Sequence, residues 1–162
     1  MLRYYTSNIV PAEYGQYEYI ISIVDVVVPV LFIELWSGIL RFGMEGDYGK
    51  KTEVISTAVF MLIPATLLYV LLYVIIIVIF SMKLYAPALI YAGLLMLVNV
   101  LMRISRILGK NKLFAASGLI GALFNAVAGY ICVHFFGMQC DALMFAMIGS
   151  YSVQAVLLCV GT

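Results

Sequence analysis

Two ionisable side chains, Glu34 and Arg41, stand in a stretch otherwise suited to hydrocarbon, Glu34-Leu-Trp-Ser-Gly-Ile-Leu-Arg41. At about 100° per residue they share one helical face with Ser37 and Gly38. An ionised group at the centre of a membrane helix costs roughly 2.5–3.5 kcal/mol on insertion scales, so it persists where it faces a bundle interior or a wet cavity. A guanidinium there can hold a phosphate through two parallel hydrogen bonds. A carboxylate can hold a coupling ion or pair with a base. Glu34 and Arg41 are separated by about 10.5 Å of helical rise, so separate partners on other helices are expected for each.

Four further residues complete the candidate set: Asp25, Asn99, Arg103 and Arg106. Each has a functional and a structural reading. Arg41 is either a phosphate contact or an anchor that snorkels from the charged turn beside it. Glu34 reads as a cavity or coupling-ion group, or as half of an interhelical pair. Asp25 is a cavity or proton-relay group nearer the opposite membrane face, or an interfacial one. Arg103 and Arg106 either recognise a pyrophosphate before entry or contact lipid headgroups. Asn99 is a sugar ligand or a helix–helix hydrogen bond, and Asn125 reads the same way. His134, Trp36 and the Tyr69/Tyr73 pair read as interfacial or packing residues.

These side chains must be positioned by membrane helices. Of 162 residues, 65% are hydrophobic and 10% charged, with a mean hydropathy of +1.13, whereas a soluble domain is about 25% charged. The pattern predicts an all-α membrane protein, a single region over 1–162 with spans at about 19–40, 54–80, 84–102, 113–136 and 142–160. Residues 1–18, rich in tyrosine, read as interfacial, with Pro11–Gly15 a turn or short surface helix. The first span carries Pro29, with Ser22, Asp25 and Pro29 on one face and Glu34, Ser37 and Arg41 on another. The second span is longer than a bilayer core and is expected to tilt, project or bend at Pro64. Pro87 suits the first turn of the third span, Gly109 its end, and Asp141 the N-cap of the fifth. In the fourth span, Ser117, Gly118, Gly121, Ala122 and Asn125 recur at i, i+4 as a close-packing face.

Seven of the nine basic residues, Arg41, Lys50, Lys51, Arg103, Arg106, Lys110 and Lys112, fall in or beside the turns after the first and third spans. The positive-inside rule places those turns in the cytoplasm. The N-terminus is then outside and the C-terminus inside, so either residues 1–18 cross unaided or a preceding span is missing. No h-region precedes Ile20. Cys132, Cys140 and Cys159 have no metal-ligand spacing and read as small apolar residues, and a Cys132–Cys140 disulfide is disfavoured. No basic run interleaved with aromatics suggests nucleic acid. No nucleophile–base pair, metal motif or phosphate-cradling loop suggests an enzyme or a cofactor.

Four stretches, in order, carry a resemblance: Pro11-Ala-Glu-Tyr-Gly-Gln-Tyr17, Val30-Leu-Phe-Ile-Glu-Leu-Trp-Ser-Gly-Ile-Leu-Arg-Phe42, Lys50-Lys-Thr-Glu-Val-Ile-Ser-Thr-Ala58 and Arg106-Ile-Leu-Gly-Lys-Asn-Lys-Leu-Phe-Ala-Ala-Ser-Gly118. Together they resemble polysaccharide flippases, the lipopolysaccharide, O-antigen and capsule exporters of the multidrug/oligosaccharidyl-lipid/polysaccharide exporter superfamily. Such proteins have roughly twelve to fourteen helices in two repeat-related lobes, and this chain resembles helices two to six of the first lobe. The resemblance implies a fragment, a truncated product or one part of a split system in the cytoplasmic membrane. Its implied partners are membrane lipids, a polyprenyl-pyrophosphate-linked oligosaccharide, and a second lobe or other envelope-biosynthesis membrane proteins. It further implies export by alternating access, and it matches Arg41, through its Leu-Arg-Phe context, to a cavity arginine. The competing expectations are a multidrug/cation antiporter, which needs an acidic cavity, and a non-transporting membrane subunit.

Overall fold

A computed structural model describes residues 11–32, 35–45, 48–80, 86–136 and 140–162. These form six helices: α1 (Pro11–Phe32), α2 (Leu35–Glu45), α3 (Tyr48–Phe80), α4 (Ala86–Ile107), α5 (Asn111–Phe136) and α6 (Cys140–Gly161). Among the described residues, four of them (α3 to α6) are long and apolar enough to cross a membrane. The protein is an all-α, multi-pass membrane bundle, as its composition requires.

Helix boundaries differ from the expected spans where charge was read as turn. Helix α1 starts at Pro11, so Pro11–Gly15 is its first turn and a half, and α2 covers the described residues from Leu35 to Glu45. Helix α3 begins at Tyr48, so Lys50, Lys51 and Glu53 lie on a helix rather than in a loop. Lysine and glutamate are good helix formers, and no breaker follows Gly49. At 33 residues, α3 is about 50 Å long. It continues through Pro64, and it outruns a bilayer core of about 30 Å. For the same reason α4 extends to Ile107 and carries Arg103 and Arg106. Asp141 lies inside the first turn of α6 rather than before it, where its carboxylate still complements the helix dipole.

Helix α4 ends as anticipated. Gly109 adopts φ +74°, its N–H donates to the Arg106 carbonyl at 3.0 Å, and the Lys110 N–H donates to the Ser105 carbonyl at 2.8 Å. This paired arrangement satisfies carbonyls that a helix end leaves orphaned, and it requires a left-handed residue. Lys110 then reaches across the bundle: its Nζ donates to the carbonyls of Gly161 at 2.7 Å and Thr162 at 2.9 Å. A cation thus caps the C-terminal end of α6 and draws it to the α4–α5 turn.

Helix α4 lies at the centre. Ala88, Tyr91, Ala92, Met96, Val100 and Ile104 are buried along it, and it touches every other helix. Helices α1, α2 and α3 pack on one side, and α6 on another with α5 beyond it. The α5–α6 contact uses only part of the small-residue face expected of the fourth span, for Ala122 is exposed and Gly118 half-buried. Ser117 and Gly121 are buried there, and Ser150 Oγ donates to the Gly121 carbonyl at 2.7 Å. Gln154 Nε2 donates to Ser150 Oγ at 3.3 Å, and a Cβ at position 121 would collide with the Gln154 side chain. Cys132 and Cys159 are free thiols, and the side chain of Cys140 lies outside the described residues.

Two substitutions test this packing in detergent-solubilised protein. Ser150→Ala removes one interhelical hydrogen bond, so unfolding by denaturant should register a loss of about 0.6–2 kcal/mol. Gly121→Leu should cost more, because it pushes α5 from α6 and displaces the buried Gln154 amide. Equal stability of Gly121→Leu and the parent would contradict the close approach.

Candidate functional site

Of the six candidates, the structure places five. Glu34 lies outside the described residues, as does the side chain of Trp36. Arg41 is exposed on α2, one turn beyond exposed Ser37 and half-buried Gly38. Near it, Gly43 packs so closely on Ile107 that a Cβ would collide with that side chain. The contact brings the end of α2 to the end of α4, and with it Arg41 to the same end of the bundle as Arg103 and Arg106. Both of those arginines are half-buried, and the Arg106 guanidinium lies 4.6 Å from the centre of the Phe114 ring, a cation–π contact that ties α4 to α5. Lys110, Lys112 and Lys50 complete a basic end.

Among the described residues the Asn99 side chain bonds within its own helix rather than across to another. Its Nδ2 donates to the Leu95 carbonyl of its own helix at 2.9 Å. An amide one turn below a carbonyl, half-buried among Val98 and Val100, finds its nearest acceptor in its own backbone.

At the opposite end lies a group of tyrosines around Asp25. Tyr91 Oη donates to Asp25 Oδ1 at 3.4 Å, linking α4 to α1. The Tyr91 ring is 2% exposed and meets the Tyr151 ring edge-on at 5.6 Å. Tyr17, also buried, donates its hydroxyl to Met147 Sδ at 3.4 Å. Three helices thus converge on one carboxylate, which itself remains exposed on the outer side of α1. The sequence reading named Asp25 but missed Tyr91, Tyr151, Ser150 and Gln154. The signal was the run Gly149-Ser-Tyr-Ser-Val-Gln154, a polar tract inside an apolar span.

The exposed side of α1 has a further regularity. Gly15, Glu18, Ser22, Asp25 and Pro29 are all exposed, they follow alternating spacings of three and four, and none is an apolar side chain of the Val, Ile or Leu kind. At 100° per residue they fall within about 80° of one another. Turned about 110° from this strip, the helix buries Tyr17, Ile21, Val24 and Val28. Tyr14 Oη donates to Glu18 Oε1 at 2.7 Å near the start of this strip. Elsewhere, Tyr69 and Tyr73 stack at 6.0 Å with the Tyr69 hydroxyl buried and unpartnered, and exposed His134 stacks on Tyr130 at 5.4 Å.

Comparison with protein-family models, with curated proteins and with solved structures finds no match to this chain.

Tyr14 supplies a test of the α1 entry. Its hydrogen bond to the Glu18 carboxylate, with some burial and the like charge of Glu18 behind it, pushes the phenol pKa from 10.0 up to about 12. The folded value exceeds the unfolded one, so the stabilising contribution is complete below about pH 10 and is lost as pH rises through about 12. In tyrosine-labelled NMR titrations Glu18→Gln should return this resonance toward an ordinary tyrosine pKa.

Proposed function

We propose that this bundle is part of a polysaccharide flippase, exporting a lipid-linked oligosaccharide precursor across the cytoplasmic membrane by alternating access. The observation that carries the reading is the set of polar side chains on uncovered faces of α1 and α2, namely Ser22, Asp25, Ser37 and Arg41, in a bundle whose other uncovered helix faces are largely apolar. Hydrocarbon does not cover such groups without cost. They fit a bundle that works against a counterpart, with a hydrated passage between the two.

The chemistry of the substrate matches the two ends. A pyrophosphate meets Arg41 at the basic end, with Arg103 and Arg106 near the same mouth, and a guanidinium offers it paired donors. Hydroxyls bind sugar along the way, while the polyprenyl tail stays in the bilayer. The basic end faces the cytoplasm, and the start of α1 the outside. Export then carries the anionic head from the basic end toward the tyrosine-rich end. The counterpart is a second lobe or another envelope-biosynthesis membrane protein. The residues act by binding and orientation alone, with no covalent step.

Surface polysaccharide is the readout, in cells that depend on this chain for export. Loss of a charge-assisted hydrogen bond is worth about 1.5–3 kcal/mol. Arg41→Ala should therefore lower export by about tenfold or more at unchanged protein level, with Arg41→Lys intermediate because it keeps the charge and loses the fork. Normal export by both Arg41→Ala and Asp25→Asn would reject the passage.

A further inference from the structure

Where the α4–α5 turn meets the end of α6 there is a hollow of about 540 Å³, and we infer that it holds the phosphate of an anionic phospholipid. Gly109, Lys110, Asn111, Lys112, Leu113 and Gly161 line it. Several hundred Å³ is the size of a small-ligand site, and this one joins a basic rim to an apolar wall. Lys110 and Lys112 bring two ammonium groups and Asn111 an amide, all three exposed. None of the lining residues is acidic, so the rim selects an anion.

The two lysines contribute unequally. Lys110 Nζ donates to the carbonyls of Gly161 at 2.7 Å and Thr162 at 2.9 Å. Those bonds fix its place at the rim, and the negative end of α6 offsets much of its charge. Lys112 stands in the first turn of α5 and is the principal cation.

The apolar wall makes the occupant a lipid rather than a free phosphate. Helices α5 and α6 are both long and apolar enough to cross a bilayer. Next to Gly161, Val160 is 84% exposed, and Val156, one turn deeper, is 62% exposed. Both lie about 150° round the helix from Ala155 and Leu158, which pack with Val98 of α4. On α5, Ala115, Ala116 and Leu119 continue the exposed surface inward from Lys112, at the spacings that keep one side of a helix. An acyl chain covers these residues while the phosphate sits at the rim. A lysine stem can lie along such a surface with its ammonium at headgroup level. Basic pockets between membrane helices are where anionic headgroups bind. The site uses none of the residues assigned to the passage and is independent of what the bundle transports.

The full chain in neutral detergent can be titrated with phosphatidylglycerol, phosphatidylcholine or soluble glycerol phosphate, and the bound molecules counted by native mass spectrometry. Phosphatidylglycerol should bind about fivefold more tightly than phosphatidylcholine, the worth of about one lysine near a membrane surface. Lys112→Gln should remove most of that preference, and Lys112→Arg should keep it. Lys112 is exposed, and its variants leave the Lys110 bonds to α6 in place. Lys50→Gln/Lys51→Gln neutralises lysines of α3 at the same basic end but outside the hollow, and should leave the preference unchanged. An equal loss in Lys50→Gln/Lys51→Gln and Lys112→Gln overturns the proposal, because the attraction is then that of a diffuse basic surface. Glycerol phosphate binding as tightly as phosphatidylglycerol also overturns it, by marking a site for a soluble anion. So does a preference that Lys112→Gln leaves intact.

Discussion

Hydrocarbon is as apolar as leucine, so burying greasy side chains cannot by itself hold this bundle together in a membrane. Cohesion has to come from close backbone approach and from polar atoms that have nowhere else to bond. The α5–α6 contact meets both conditions at one place. Gly121 lets the helices approach, its carbonyl accepts from Ser150, and Gln154 donates in turn to the same hydroxyl. With α6 so placed, α4 packs against it through Val98, Ala155 and Leu158. The remaining helices assemble on the other side of α4, and Lys110 fastens the turn to the last carbonyls of α6. Gly149 against Phe124 and Gly161 against Leu113 repeat the close approach of α5 to α6 at two further levels.

How much of this could be read from the residues alone varies with the kind of signal. Apolar runs of twenty residues declare membrane helices, and Gly109 declares the end of one, because each rests on a local rule. The small-residue face of α5 was legible for the same reason. Charged helix ends were not. Lys50, Lys51, Arg103 and Arg106 look like loop residues by polarity, yet nothing in their backbone preference stops a helix. Asn99 shows a second limit. Composition marks an amide as needing a partner, but only geometry shows that Leu95, one turn away, supplies the acceptor. The Asp25 surroundings show a third. Tyr17, Tyr91 and Tyr151 come from three helices, and no spacing along the chain announces that they meet.

The polar side chains divide by depth and by sign. Arginines and lysines gather at the end where α2, α4 and α6 finish, and the acidic strip of α1 runs from the other end inward. Such a division costs little at the basic end, because long side chains can lift their charges to the interface while their stems stay in the apolar layer. A short aspartate cannot do this. Asp25, about 10 Å along the axis from Glu18, accepts a hydrogen bond from the Tyr91 phenol on its inner side.

That asymmetry bears on which helices are free to move. Helices α4, α5 and α6 are joined by interdigitated side chains, a backbone-level hydrogen bond and the Lys110 cap, all of which would have to break together. Helix α1 touches α3, α4 and α6 and leaves Ser22 and Asp25 exposed. Helix α2 is seated at its far end by Gly43 on Ile107.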